Sequence, residues 1–356
     1  MKILFVWTGV TSYMADCWRE LRRWDGVELK VVVEQVVSGK EFDVEKVLSG
    51  IDCTVVRNGD CSVELVPGWC PDVMFAVGWH SKVVRRFVSR RDWREVPKVC
   101  CFDLPWDGSF RRILARWVLA PFLRLYSAAY VPGVACEKYA RWLGFCKIFK
   151  GLFSIDGQAF ASAVSDAPRR GFLYMGRFAE EKRIDVLIAA FARYRALGGT
   201  WTFDLYGSGT MKPMLEQLID RICDGQDARR PSLASLQEAK CRLHDFVQPD
   251  EVPRIYAEHG CLVLASDFDP WPLVVLQACA NGMPVVVSDR CTNYPELVRG
   301  NGIVCPTGDV EAMAQAMLRV EHGEVNGEAG RELSEPYDKV RWCERTLAIC
   351  REVSGK

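Results

Sequence analysis

Residues 265–289, ASDFDPWPLVVLQACANGMPVVVSD, limit the possible folds more than any other stretch of the chain. Residues 261–265, CLVLA, are an apolar run of strand length just before it. DFDPWP supplies turn residues and predicts Pro272 at the first helical position. Residues 273–280 are short and almost wholly apolar, the pattern of a helix buried on most sides. Asn281-Gly282 stops that helix, because glycine accepts the left-handed conformation. Residues 284–287 then read as a second strand. Strand, loop, helix and strand make one βαβ unit, and parallel sheets bind ligands in the loop at the carboxyl end of the first strand.

The rest of the chain repeats this grammar. Residues 2–7 read as a strand closed by Thr8-Gly9, residues 12–24 as a helix and residues 28–34 as a strand. Further strands are expected at 72–77, ending in Gly78-Trp79-His80, and at 98–102, ending in Asp103-Leu104-Pro105. A strand at 128–132 and a helix at 138–143 close the first half, and residues 150–168 read as a linker. The second half opens with a strand at 171–175, the loop GRFAEEK and a helix at 184–197. A strand at 201–206 runs into Gly207-Ser208-Gly209, and residues 223–240 form a polar insertion. A strand at 243–247, a helix at 251–259, a helix at 310–319 and a helical stretch at 332–353 complete the series. The fold class is therefore α/β, with doubly wound parallel sheets.

With 356 residues the chain is long enough for two domains, each with its own core. Hydrophobic residues make up 49% and charged residues 26%, the balance of a globular protein rather than a fibrous or disordered one. Net charge is zero but unevenly divided: residues 1–150 hold 23 basic and 17 acidic side chains, residues 151–356 hold 23 and 29. The basic excess gathers at Lys82, Arg85, Arg86, Arg90, Arg91, Arg94 and Lys98, then at Arg111, Arg112, Arg116 and Arg124. The second group alternates with Trp117 and Leu119 over residues 109–126, a basic amphipathic helix. It reads either as a solvated face or as attachment to an anionic membrane or acceptor. Nucleic acid is not expected, since the bias is local and compensated elsewhere. Sixteen cysteines, mostly within apolar runs and without CxxC pairs, read as reduced core residues of a cytosolic protein. No signal peptide is expected before the first strand, and no run has the length of a membrane span.

The stretch at 265–289 also resembles the signature of glycosyltransferase family 4, retaining sugar transferases of the GT-B fold. Pro270, Trp271, Leu273, Ala278, Ala280, Gly282, Pro284, Val285 and Val286 match. The acidic pair of that signature falls on Asp269 and Gln277, and its glycine on Pro272; all three are departures. GRFAEEK resembles the family's Gly-Arg-x-x-x-x-Lys motif, with Arg183 where the family often has glycine. The resemblance implies two Rossmann-like domains facing a cleft. Residues 1–165 would lie on the acceptor side and 166–330 on the donor side, with 331–356 a helix crossing back.

It also implies a nucleoside diphosphate sugar as donor, UDP- or GDP-linked, and no metal or other cofactor. Arg177 and Lys182 would meet the diphosphate, with the N–H groups of Leu273 and Val274; Pro272 removes one donor. Asp269 would contact the sugar and Gln277 the ribose, unless Gln277 is only a buried polar residue. Gly9, Gly207 and Gly209 fall at the family's glycine turns, and Gly9 could equally be structural. His80 and Asp103 are the polar groups offered at the first domain's strand ends, or else a helix cap and a turn former. The implied acceptor is a glycan or lipid-linked saccharide of a cell-surface polysaccharide. The implied place is the cytoplasm, or the inner face of the cell membrane.

Two other readings compete. Asp267-Phe268-Asp269 is an Asp-x-Asp, the metal signature of a different glycosyltransferase fold. The altered acidic pair also suits a catalytically weak GT-B protein that binds a sugar nucleotide or a partner. A hydrolase reading lacks a G-x-S-x-G elbow.

Overall fold

The computed structural model of the chain describes residues 1–35, 43–57, 68–164, 168–223 and 241–355. Two compact units emerge: Met1–Asp156 with Pro336–Lys356, and Gly157–Glu335.

Unit 1 is built on strands β1 (Lys2–Thr8), β2 (Glu28–Gln35), β3 (Cys53–Arg57), β4 (Val73–Val77), β5 (Lys98–Cys101), β6 (Ala128–Val131) and β7 (Ile148–Lys150). Among the described residues they form one sheet in the order β3-β2-β1-β4-β5-β6-β7, with every pairing parallel. Parallel strands need crossovers, and helices α1 (Ser12–Leu21), α2 (Val44–Leu48), α3 (Lys82–Val88), α4 (Phe110–Leu123) and α5 (Val134–Leu143) supply them. Strands β1, β4, β5 and β6 are apolar nearly throughout because helices cover both faces of the sheet. At its centre Phe5 stacks on Phe75 with ring centroids 4.8 Å apart.

Unit 2 holds β8 (Phe172–Met175), β9 (Phe203–Tyr206), β10 (Cys241–His244), β11 (Cys261–Leu264), β12 (Val285–Ser288) and β13 (Gly302–Cys305). Their order is β10-β9-β8-β11-β12-β13, again parallel throughout. Counted within the unit, that is the doubly wound 3-2-1-4-5-6 order, whose direction reverses between β8 and β11. The helices here are α6 (Gly157–Ser162), α7 (Ile184–Ala196), α8 (Lys212–Cys223), α9 (Val252–Glu258), α10 (Leu273–Asn281), α11 (Tyr294–Leu297), α12 (Val310–Glu321) and α13 (Ala329–Ser334). The last helix, α14 (Lys339–Ser354), packs on α1 in unit 1. Its Trp342 is fully buried beside Phe5 and donates from Nε1 to Leu152 O at 2.8 Å.

Several expectations need correction. The helical stretch at 332–353 is two helices, broken by a 3₁₀ turn at Glu335–Tyr337 where Pro336 interrupts the ladder. The strand expected at 243–247 is β10, which starts two residues earlier and stops at His244, before the polar Asp245. The expected linker contains β7's last residue and α6, which packs on α10; only 165–167 of it lie outside the described residues. The polar insertion at 223–240 lies outside them but for its first residue, the end of α8. Pro272 caps α10 rather than starting it. Lys98 is no surface cation: its buried ammonium donates to Trp93 O at 2.7 Å and Val96 O at 2.8 Å, and burial lowers its pKa. Arg112 and Leu119 turn inward from the expected basic face: Arg112 lies over Tyr139 and Leu119 packs on the core. The fourteen described cysteines are free and mostly buried, and burial pushes Cys279 and Cys291 up to about 12.

A buried carboxylate ties three elements of unit 2 together. Asp204 of β9 lies 2.6 Å from Nε2 of His244 on β10 and 3.5 Å from Nε2 of His259, which follows α9. The Nδ1 of His259 lies 2.7 Å from the Ile255 carbonyl, which fixes the ring with Nε2 toward Asp204. Burial alone would raise the Asp204 pKa, but the hydrogen bonds from His259 and His244 hold it below the ordinary carboxylate range. Such a group stabilises the fold above that range and loses its contribution as pH falls through the depressed value. Asp204→Asn is expected to destabilise the protein by about 1.5–3 kcal/mol at neutral pH, the worth of a hydrogen bond to a charged group. In urea titrations the gap between wild type and variant should close as pH drops below the ordinary carboxylate range.

Candidate active site

The chain order of unit 2 brings two loops together. Since β8 and β11 are neighbours at the reversal point, the loop after β8 (176–183) and the loop after β11 (265–272) leave the sheet side by side. This is where doubly wound sheets bind ligands. The loops are joined by a main-chain bond, Asp267 N to Glu181 O at 2.9 Å. Lys182 Nζ lies 2.5 Å from Asp269 Oδ2, with side chains 16% and 11% exposed. Burial raises the Asp269 pKa, and Lys182 opposes that shift, as does the main-chain N–H of Trp271. Asp269 is held rigidly: its N–H donates to Arg290 O at 3.2 Å and its carbonyl accepts from Thr292 N at 3.0 Å.

Arg183 has φ +47°, left-handed backbone that costs a non-glycine residue about 1–2 kcal/mol. Its guanidinium is gripped by both oxygens of Asp185 at 3.1 Å and by Asp267 at 3.0 Å, bonds that raise its pKa further. The side chain thereby holds the backbone conformation that glycine would adopt unaided. The two acidic residues of the Asp-x-Asp face different cations, Asp267 to Arg183 and Asp269 to Lys182. Arg177 lies at the edge of this cluster, 73% exposed at its side chain and paired with Glu181 at 2.7 Å, and its charge also acts to lower the Asp269 pKa. Its carbonyl accepts from Tyr174 OH at 2.8 Å.

Glycines set the floor. A Cβ on Gly207 would lie 1.9 Å from Gly176 O, and one on Gly209 2.3 Å from Phe178 O. Both have φ near +150°, open to glycine alone. Phe178 N donates to Ser208 O at 2.7 Å, so the loop after β9 supports the loop that carries Lys182. Gly207 and Gly209 therefore serve close backbone approach. Helix α10 starts beside Asp269, with the N–H groups of Leu273 and Val274 in its first turn. The Pro272 carbonyl accepts from Asn293 Nδ2 at 3.0 Å, which fixes the entry of the helix. Gln277, one turn on, is half-buried; its Oε1 accepts from the buried Tyr256 OH at 3.0 Å, so its amide N–H₂ faces elsewhere as donor. Sequence reading missed Tyr256, Tyr174 and Asn293, whose roles come from contacts between distant elements and leave no local pattern.

The remaining candidates lie in unit 1. Gly9 closes the β1 turn at φ +79°, its N–H donating to Glu34 O at 2.9 Å. The exposed His80 follows β4, its ring close against Gly78. Asp103 follows the adjacent β5, half-buried; burial, and to a smaller extent the Asp103 charge, raises the pKa of Tyr13.

Two parallel doubly wound units, the second with a cationic and acidic pair at its reversal point, define the GT-B class of glycosyltransferase fold. Comparison with solved structures agrees. The UDP and glucose complex of Anabaena Alr3699/HepE matches 99% of this chain and all of that one, with TM-score 0.69 and 17% identity. The lipopolysaccharide outer core galactosyltransferase WaaB in its apo form matches 98% of each chain, with TM-score 0.66 and 14% identity. Residues 169–322, all within unit 2, match the family described as Glycosyl transferases group 1. The amylovoran biosynthesis glycosyltransferase AmsK of Erwinia amylovora is 29% identical over 183 residues, 48% of this chain and 41% of its own. The chain spans less than half the length of the curated relatives it matches.

If Gly207 serves only to let two loops touch, any Cβ there must push the Lys182 loop away. Gly207→Ala is expected to cost roughly 1–3 kcal/mol of stability, as overpacking does. A urea midpoint equal to wild type would show that the loops have room.

Proposed function

We propose that the protein transfers a sugar from a nucleoside diphosphate sugar to a glycan, with retention at the anomeric carbon. The acceptor in this reading is a lipid-linked saccharide of a cell-surface polysaccharide, met at the inner face of the cell membrane. The observation that carries it is the Lys182–Asp269 pair at the reversal point of the sheet, beside the N-terminus of α10. Support comes from the name of AmsK, a biosynthetic glycosyltransferase, and from the UDP and glucose bound in the Anabaena neighbour.

The chemistry follows from charge. Breaking the bond from sugar to diphosphate leaves negative charge on the departing group, and a fixed cation nearby lowers that barrier. Lys182 has three N–H donors and uses one toward Asp269, so the ammonium can face a phosphate without losing its anchor. Asp269, buried and short, acts here as the group that positions Lys182. Reaching the sugar as well would require the carboxylate to leave a buried ion pair, which is costly. The first turn of α10 adds its dipole and N–H groups. Arg177 would give up the exposed Glu181 contact to close over the diphosphate, a weak pair being cheap to break. His80 and Asp103 would face the acceptor, with Gly9 keeping their side of unit 1 open.

Replacing Lys182 by alanine should lower kcat by the equivalent of roughly 2–4 kcal/mol, with Lys182→Arg a partial rescue. Turnover should persist in excess EDTA, since two cations and a helix end meet the charge. Complete loss in EDTA restored by Mn²⁺, with Lys182→Ala silent, would move the phosphates to a metal at Asp267 and Asp269.

Gln277 should hold the nucleotide ribose. Gln277→Ala is expected to weaken UDP or GDP binding by about 1–3 kcal/mol in calorimetry, and Gln277→Glu to keep or improve it. Equal affinities for the three proteins would leave Gln277 as a partner of Tyr256 only.

A further inference from the structure

Helix α4 presents its apolar face to solvent. Phe110 is 77% exposed, Trp117 70%, Val118 67% and Leu114 46%. Their spacing of four, three and one residues puts them on one stripe of the helix. Leu123 is the one residue of the helix that is fully buried, while Ala115, Leu119 and Phe122 pack against the core from the opposite side. A surface helix ordinarily shows polar side chains outward. With aromatic side chains carrying roughly 150–250 Å² each, Phe110 and Trp117 alone leave on the order of 300 Å² of apolar surface uncovered. Leu114 and Val118 enlarge that area into one contiguous patch, of the size that on a monomer often serves binding.

The charges around the stripe say what covers it. Residues 108–136 contain four arginines and no aspartate or glutamate. Arg112 is used internally, pairing with Asp107 at 3.5 Å and lying over Tyr139. Arg111, Arg116 and Arg124 are exposed and flank the apolar stripe. Arg85 of α3 lies against the core-facing side of α4, its guanidinium 5.4 Å from the Phe122 ring centroid, and is not part of this basic rim. A second copy docked through the same stripe would set these guanidinium groups against their own kind, a juxtaposition that costs free energy. An anionic lipid surface offers phosphates to the rim and acyl chains to the stripe. The helix is already formed and capped, Ser109 Oγ accepting from Arg112 N at 3.4 Å, so docking need not order it. At 14 residues α4 is shorter than a membrane span, so contact through it is with one leaflet.

We propose that α4 lies flat in the headgroup region of an anionic bilayer. Phe110, Leu114, Trp117 and Val118 enter the acyl boundary, and Arg111, Arg116 and Arg124 meet lipid phosphates. The inference deepens the proposed transfer to a lipid-linked acceptor, and rests on it only for the reason to be at a membrane.

Co-sedimentation of the full chain with vesicles tests it. Equimolar phosphatidylglycerol and phosphatidylcholine should pellet the protein at low salt, and phosphatidylcholine alone should not. The double variant Phe110→Ser, Trp117→Ser should weaken binding about tenfold or more, and Arg111→Ala, Arg116→Ala should weaken it on anionic vesicles. Release of nucleoside diphosphate from a soluble donor, measured without vesicles, should match wild type in both variants. Loss of that release in all proteins with vesicle binding intact would overturn the transferase reading and leave this one standing. No binding to anionic vesicles, binding unchanged by both variants, or a solution dimer that the Phe110→Ser, Trp117→Ser variant dissociates would overturn the membrane proposal.

Discussion

The buried ion pair between Lys182 and Asp269 joins two loops separated in sequence by more than eighty residues, and the candidate site is organised around it. Neither loop could make the pair alone. The strand order of unit 2 sets β8 against β11, so that their carboxyl ends open at one point. The pair costs desolvation, which its short contact and the Trp271 N–H oppose without cancelling, since the Asp269 pKa stays raised. In the transfer reaction proposed above, the Lys182 cation would be in place before a phosphate arrives.

Support for the pair comes from backbone as much as from side chains. Gly207 and Gly209 let the loop after β9 press against residues 176–178, where any larger residue would collide with a carbonyl oxygen. Arg183 reaches the same end by another route. It accepts a left-handed conformation and is held there by two carboxylates, one of which, Asp267, belongs to the partner loop. The residue that strains the backbone therefore also fastens the loops together. Asp267 is thus the partner of Arg183, as Asp269 is of Lys182.

Unit 1 resolves its charges differently. Its basic excess looks uniform in sequence, but the fold sorts it by depth. Lys98 is drawn into the interior to satisfy carbonyls at the end of a 3₁₀ turn, and Arg112 is laid over Tyr139. Arg111, Arg116 and Arg124 stay outside, around apolar side chains that the core does not take up. The amphipathic helix thus faces both ways: a short side of Ala115, Leu119 and Phe122 holds it to the unit, and its larger apolar stripe faces outward.

The alternation of apolar strands, glycine turns and helices was enough to establish an α/β chain with parallel sheets, since runs such as residues 2–7, 261–264 and 285–287 suit only strands covered on both faces. The motif around Pro270 to Val286 and the loop holding Arg177 and Lys182 were legible through their resemblance to a family signature, each being one contiguous stretch. Short elements such as β3, β7 and α6 escaped, because three to six residues carry too little periodicity to register. What only the tertiary structure decided is pairing. That Lys182 meets Asp269, that Tyr256 orients Gln277, that Lys98 is buried and that Phe110 and Trp117 are not, all depend on which distant segments the strand order brings together. A side chain's neighbours in a parallel sheet come from crossovers tens of residues long, and composition along the chain does not encode them.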